Sequence, residues 1–190
     1  MIDNRSSLLL ETPRLIIRPF RDSDLEPFVA YRNDPEVYRY QGWKTPFSRE
    51  EGLEFIERAI MAVPGMPGEW LQLALERKDN GEMLGDLAFH LTRSDPRQAY
   101  LGYSLARPSW GQGFASEAVR KLLDYLFRVR SLHRIMADCD VDNTASIRLL
   151  ERVGFRREAH YLESFWLERE NRWGGEYLYA MLSHEWTLQE

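Results

Sequence analysis

Two segments of this 190-residue chain gather residue types that can do chemistry. The first, Leu105-Ala106-Arg107-Pro108-Ser109-Trp110-Gly111-Gln112-Gly113-Phe114-Ala115, carries two glycines through a turn between a strand pattern and a helix pattern. Glycine lets the main chain approach a ligand closely, and the free amides and dipole of a helix N-terminus hold anions, so this spacing suits a pyrophosphate. The turn has neither the lysine followed by Ser or Thr of a P-loop nor the G-x-G-x-x-G order of a dinucleotide site. Taken alone, Gly111 and Gly113 serve equally well as a tight strand-to-helix connection. The second segment, Asp142 to Phe155, opens with Asn143 and Ser146. By residue type only, Asn143 is a helix cap and Ser146 a first-turn residue with a solvated hydroxyl.

Other groups able to move a proton are Asp86 and His90 on a predicted strand and Glu163 near the C-terminus, and spacing favours none of them. The single cysteine, Cys139, excludes an intrachain disulfide and a cysteine-rich zinc cluster, and its strand pattern makes it a core residue rather than a nucleophile. His90, His133, His160 and His184 lack the short spacing of a metal site on one element, so no metal is expected. With 25 Lys plus Arg against 30 Asp plus Glu the net charge is -5, which disfavours non-specific binding to a nucleic-acid backbone. Apolar runs such as Leu8 to Leu10 and Ala59 to Val63 fall far short of the roughly 18 residues a spanning helix needs. Asp3 and Glu11 flank the short N-terminal apolar patch without the features of a secretory signal. These readings predict a cytoplasmic protein with no membrane partner.

The elements that must position these groups follow from pattern. Leu15 and Ile17 share a face of a first strand ended by Pro19. Ser23 with Glu26, and Ser48 with Glu51, each form a capping-box signature before a helix. The first of these helices stops before Asn33-Asp34-Pro35, the second at Pro64-Gly65-Met66-Pro67-Gly68. Strands are predicted over 70–76 and 83–91, joined at Asp79-Asn80-Gly81, and over 99–105. Apolar residues from Ala115 to Phe127 repeat at helical steps to about Arg130. A strand over 134–140 and a helix from Asn143 to Val153, ended by Gly154, follow. Phe155 onwards and Tyr177 to Leu182 read as two strands, with Asn171 and Gly174-Gly175 between them. One α/β domain spanning 1–190 is predicted.

The pair W-G-x-G-x-A entering a helix, then N-x-x-S-x-x-x-L-x-x-x-G-F, resembles the GNAT-type N-acetyltransferase superfamily, in its ribosomal-protein N-terminal acetyltransferase (RimJ/RimL-like) branch. Thr12-Pro13-Arg14-Leu15 with Arg18-Pro19, Asn33-Asp34-Pro35-Glu36-Val37, and Tyr179-Ala180-Met181-Leu182 with Glu185-Trp186 carry the likeness over nearly the whole chain. The resemblance implies an α+β fold whose mixed, mostly antiparallel sheet splits like a V between two central strands, with acetyl-CoA entering the split. It places the pantetheine arm on main chain at Tyr103, Ser104 and Leu105, and the pyrophosphate on the turn Trp110, Gly111, Gln112, Gly113, Phe114, Ala115 and Ser116. Many superfamily members carry a tyrosine seven residues after the asparagine as general acid; here that position is Leu150. In the resembling branch the role passes to a serine, here Ser146, with Asn143 hydrogen-bonding cofactor or substrate. Tyr38, Tyr40, Trp43 and Phe47, with His90, fall where the family forms an acceptor wall, although aromatics there also serve as sheet cover.

The implied activity is direct acetyl transfer from acetyl-CoA to a primary amine, on a protein N-terminus or a small molecule, by a monomer or homodimer. Leu150 in place of tyrosine keeps open an alternative, a CoA-binding sensor with little catalysis. A nucleotide-binding α/β protein is disfavoured by the missing phosphate-loop lysine.

Overall fold

Leu15 and Ile17 are fully buried on one side of a four-residue strand, and this period of two begins an eight-stranded sheet. The computed structural model describes residues 8–186; the reading of Asp3 lies outside them. The strands in chain order are β1 (Leu10–Glu11), β2 (Leu15–Arg18), β3 (Leu71–Arg77), β4 (Met83–Leu91), β5 (Gln98–Leu105), β6 (Arg134–Asp140), β7 (Arg156–Leu167) and β8 (Arg172–Leu182). Helices α1 (Leu25–Arg32), α2 (Pro35–Tyr38) and α3 (Arg49–Met61) lie between β2 and β3. Helix α4 (Phe114–Asp124) joins β5 to β6 and runs on through a π-helical turn at Tyr125–Val129, while α5 (Thr144–Val153) joins β6 to β7.

The sheet order is β1-β2-β3-β4-β5-β6-β8-β7, antiparallel throughout except at β5 and β6. That parallel pair is short: Gln98, Ala99 and Tyr100 face Arg134, Ile135 and Met136, and there the ladder ends. Beyond it β5 continues to Leu105 on β4 alone, and β6 continues to Asp140 on β8 alone. The sheet therefore forks, which is the split the resemblance implies.

Alternation gives the sheet two unlike faces. Leu73, Leu87, Leu101, Ala137, Cys139 and Tyr179 lie in one core with Ala118 and Leu122 of α4 and Leu150 of α5. A second core on the other face joins Ala74 and Met83 to Phe28 and Ile56 of α1 and α3. That cover stops short of β5 and β6, leaving Tyr100 and Gly102 half-buried and Asp138 exposed.

Local signals hold where no distant group competes. Ser48 and Glu51 form the reciprocal capping box of α3, at 3.1 and 2.7 Å. The box read at Ser23 and Glu26 does not form. Asp24 instead accepts the Arg21 amide at 2.8 Å and a forked pair of bonds from Arg18 at 2.7 and 2.8 Å, so a short 3-10 turn precedes α1. The β7–β8 turn also differs from its reading: it lies at Glu168–Asn171, and Gly174 and Gly175 sit inside β8. A Cβ at Gly174 would stand 2.7 Å from the Phe165 ring, so the glycine is there for cross-strand packing. Among the described residues no helix is long and apolar enough to cross a membrane, and no group of His, Cys, Asp and Glu is arranged to hold a metal ion.

Candidate active site at the forked sheet

The turn after β5 is built to leave amides free. The Trp110 indole N–H donates to the Leu105 carbonyl at 2.8 Å and the Gln112 side chain to the Pro108 carbonyl at 2.8 Å, which folds the loop back on itself. Gly111 and Gly113 then take φ of +73° and +82°, left-handed values that disfavour side chains. The first intrahelical bond is from Glu117 N–H to the Gly113 carbonyl, so the amides before it have no helical acceptor. Phe114 is buried and anchors the helix start, and Ala115 packs partly against the same core. These free amides at the end of an eleven-residue helix fit a pyrophosphate. Sequence reasoning missed Arg14 here. Its guanidinium donates to the Gln112 carbonyl at 2.9 Å, lies 4.4 Å over the Phe114 ring, and pairs with Glu117 at 2.6 Å. Burial alone would raise the Glu117 carboxyl, but hydrogen bonds from Thr12 and Arg14 hold it below its ordinary value.

At the fork, residues from two elements meet. The Tyr103 hydroxyl on β5 is 2.8 Å from Ser146 Oγ in the first turn of α5. Asn143 Oδ1 accepts the Ser146 amide at 3.1 Å, so Asn143 is the helix cap and fixes where Ser146 stands. Burial raises the Tyr103 hydroxyl well above the usual tyrosine range, keeping it protonated at neutral pH. Burial likewise pushes the Cys139 thiol up to about 12, so it carries almost no thiolate at neutral pH. Leu150, in the position where many relatives of this pattern carry tyrosine, is fully buried in the core.

On the opposite face, Trp70, His90, Tyr100, Leu101, Gly102 and Asp138 line a cavity of about 380 Å³. His90 stacks on Tyr100 with 5.4 Å between ring centres and meets Trp70 edge-on at 4.4 Å. The other two proton-transfer candidates lie elsewhere. Asp86 is buried and accepts a hydrogen bond from Tyr31, and Glu163 sits exposed at a bulge of β7 with φ of +47°. Of the four aromatics read as an acceptor wall, Trp43 and Phe47 turn inward around the buried Arg32 guanidinium, at 4.1 and 5.2 Å. Tyr38 lies under Arg169, and Tyr40 under Arg39. Asp138, Trp70 and Tyr100 were not singled out by sequence reasoning. The available signal was the polar residue at 138 alternating with apolar Ile135, Ala137 and Cys139.

Comparison with known proteins bears on this geometry. Residues 14–156 match the model of the acetyltransferase (GNAT) domain. The uncharacterized N-acetyltransferase YoaA of Bacillus subtilis (strain 168) is 36% identical over 150 residues, covering 79% of this chain and 84% of the relative. A [ribosomal protein uS5]-alanine N-acetyltransferase of Escherichia coli (strain K12) is 27% identical, covering 97% of this chain and 95% of its own. A crystal structure of a GNAT-family acetyltransferase from Bacillus anthracis superposes with a TM-score of 0.80 at 28% identity, over 93% of this chain and 99% of that one. The chain belongs to the GNAT acetyltransferase family and is an N-acetyltransferase.

Proposed function

We propose that the protein moves the acetyl group of acetyl-CoA to a primary amine by direct attack, with both substrates bound together. The observation that carries this reading is the fork: the hydroxyls of Tyr103 and Ser146 meet 2.8 Å apart at the opening between β5 and β6, and β5 leads through the glycine turn to the free amides at the start of α4. The amides from Gly111 to Ser116 would hold the pyrophosphate, and the unpaired edge of β5 at Tyr103, Ser104 and Leu105 would hold the pantetheine arm. Bound there, acetyl-CoA supplies an activated acetyl thioester. Ser146 is the donor of the proton that the leaving sulfur needs, Tyr103 supports its hydroxyl, and Asn143 sets its position.

A covalent acetyl-cysteine route is disfavoured because the Cys139 thiol is buried and held in its neutral form. A free cysteine of this kind also agrees with a cytoplasmic enzyme. The acceptor is the N-terminal amine of a protein, as the name of the uS5-alanine relative suggests, or a small amine. Calorimetric titration with acetyl-CoA, with ATP and NAD as controls, tests the cofactor. Selective micromolar binding of acetyl-CoA is the expected result, and tighter binding of ATP or NAD overturns the reading.

A further inference from the structure

The peptide joining Gln112 to Gly113 is the movable unit of the turn after β5. Gly113 holds φ of +82° but accepts either sign, so the local chain does little to stop this peptide from turning over. The bond is trans, and in a trans peptide the C=O and N–H point in opposite directions. Whatever fixes the Gln112 carbonyl therefore also aims the Gly113 amide.

That group is Arg14, 98 residues earlier in the chain. Its Nη1 donates to the Gln112 carbonyl at 2.9 Å, so the Gly113 amide points away from Arg14, and among the described residues it has no acceptor. Arg14 is itself held three ways. Its Nε donates to Glu117 Oε2 at 2.6 Å, its main-chain N–H donates to Glu117 Oε1 at 3.0 Å, and its guanidinium lies 4.4 Å over the Phe114 ring. Thr12 Oγ1 donates to the same Oε1 at 2.6 Å, which ties Glu117 to the chain just before β2. The Glu117 amide in turn donates to the Gly113 carbonyl at 3.0 Å. The carbonyls on either side of the Gly113 backbone are thus both pinned by one Arg14–Glu117 unit. The turn supplies no substitute: between Leu105 and Ser116 the one cation is Arg107, which pairs with Asp34 at 3.4 Å.

Charge and direction contribute unequally. Glu117 neutralises Arg14 at 2.6 Å, so the pair adds little net field at an anion. The bond to the carbonyl holds the amide outward and, by polarising the peptide, strengthens it as a donor. We infer that Arg14 is the positioning residue of a diphosphate subsite, aiming the Gly113 amide at the ligand through the Gln112 carbonyl. This rests on the reading that the turn holds the pyrophosphate of acetyl-CoA. Released from Arg14, the peptide turns over and presents a carbonyl oxygen where the anion belongs.

The test is the calorimetric affinity of wild type, Arg14→Met, Glu117→Gln and the double variant for three probes. These are acetyl-CoA, dephospho-CoA, which keeps the diphosphate without the ribose 3′-phosphate, and pantetheine, which lacks both and is measured by displacement of acetyl-CoA. Methionine keeps an apolar stem on Phe114, and melting curves check folding. Arg14→Met should weaken acetyl-CoA and dephospho-CoA alike, by about 20-fold, and pantetheine by less than about twofold. Loss of Arg14 also bares the Glu117 carboxylate, and the double variant removes that charge. It should still bind acetyl-CoA about tenfold more weakly than Glu117→Gln does. If methionine unfolds the chain, Arg14→Lys takes its place: one ammonium cannot serve Gln112 and Glu117 together, so a smaller loss with the same probe pattern is expected. Unchanged affinities overturn the assignment, as does full recovery in the double variant. Equal weakening of all three probes overturns it by making Arg14 a purely structural residue, and weakening of acetyl-CoA alone by moving Arg14 to the 3′-phosphate. A wild type that binds acetyl-CoA no tighter than pantetheine, or not at all, overturns the reading of the turn beneath it, and this is seen before any variant is compared.

Discussion

The hydroxyls of Tyr103 and Ser146 stand 2.8 Å apart across the fork, joining the open edge of β5 to the first turn of α5. If this pair returns a proton to the leaving sulfur, Ser146→Ala should lower kcat about 100-fold while the acetyl-CoA Kd moves less than about threefold. Tyr103→Phe should cost about tenfold. Because the two hydroxyls act as one unit, the double variant should be no slower than Ser146→Ala by more than about twofold. Steady-state kinetics with calorimetric Kd values for the four proteins measures this; full additivity would separate the two residues.

Cys139 gives the complementary expectation. With its thiol held up at about 12 it has no nucleophilic role at neutral pH. Cys139→Ala should keep turnover within about threefold. Alkylation by iodoacetamide at pH 7.5 should be far slower than that of a free thiol of ordinary pKa near 8.5. Trapping of an acetylated cysteine on the protein would contradict direct transfer.

At the glycine turn after β5, conformation and crowding can be separated. Gly111 and Gly113 both have positive φ, yet a Cβ on Gly111 meets nothing within 4 Å in the free protein, and one on Gly113 meets only the Arg14 guanidinium at 3.4 Å. Alanine at either position therefore costs about 1 to 2 kcal/mol of backbone strain and little else in the free protein. Against a bound pyrophosphate the added methyl group intrudes, so the acetyl-CoA Kd should rise at least tenfold, beyond what the fall in melting temperature implies. An unchanged Kd in Gly111→Ala would move the pyrophosphate away from this turn.

Much of this arrangement was legible in the sequence because it is locally encoded. The strand Arg134–Asp140, the αL glycine closing α5 and the Ser48–Glu51 box all depend on neighbours within a few residues. The misreadings share another cause. Asp24 is drawn inward by Arg18 rather than leaving the cap to Ser23, and Gly174-Gly175 looks like a turn only until the Phe165 ring lies across it. Site residues divide the same way. The glycine turn and Asn143 could be found in sequence because their roles lie in the main chain and a cap. Asp138 was marked only by its alternation with apolar neighbours, and the end of the β5–β6 ladder is what shows that its side of the strand opens onto a cavity.

The Arg18–Asp24 pair should dominate one stability measurement. Both side chains are almost wholly buried, and Arg18 also bonds Glu76 at 2.6 Å, so it ties β2 and β3 to the start of α1. Arg18→Ala leaves Asp24 uncompensated and should cost about 3 to 5 kcal/mol. Replacing both, as Arg18→Met with Asp24→Leu, should recover a large part of that loss. Urea unfolding of the two variants against wild type gives the comparison; equal losses would mean the ion pair itself, rather than the stranded charge, carries the stability.

Arg169 connects two segments that are far apart in sequence, the β7–β8 turn and the stretch after α2 that the sequence suggests as an acceptor wall. Its guanidinium donates to the carbonyls of Tyr38 at 2.9 Å and Trp43 at 2.7 Å and lies 4.4 Å over the Tyr38 ring, so the β7–β8 turn straps down the segment after α2. Lysine cannot reproduce a planar group bonding two carbonyls at once. Arg169→Lys and Arg169→Ala should therefore both loosen this segment, raising acceptor KM several-fold and speeding proteolysis between Tyr38 and Phe47, while acetyl-CoA affinity stays unchanged. A matching loss of acetyl-CoA affinity would show that the strap supports the whole fork; an unaltered acceptor KM together with faster proteolysis would show that the wall is structural and that acceptor recognition is confined to the cavity around Asp138.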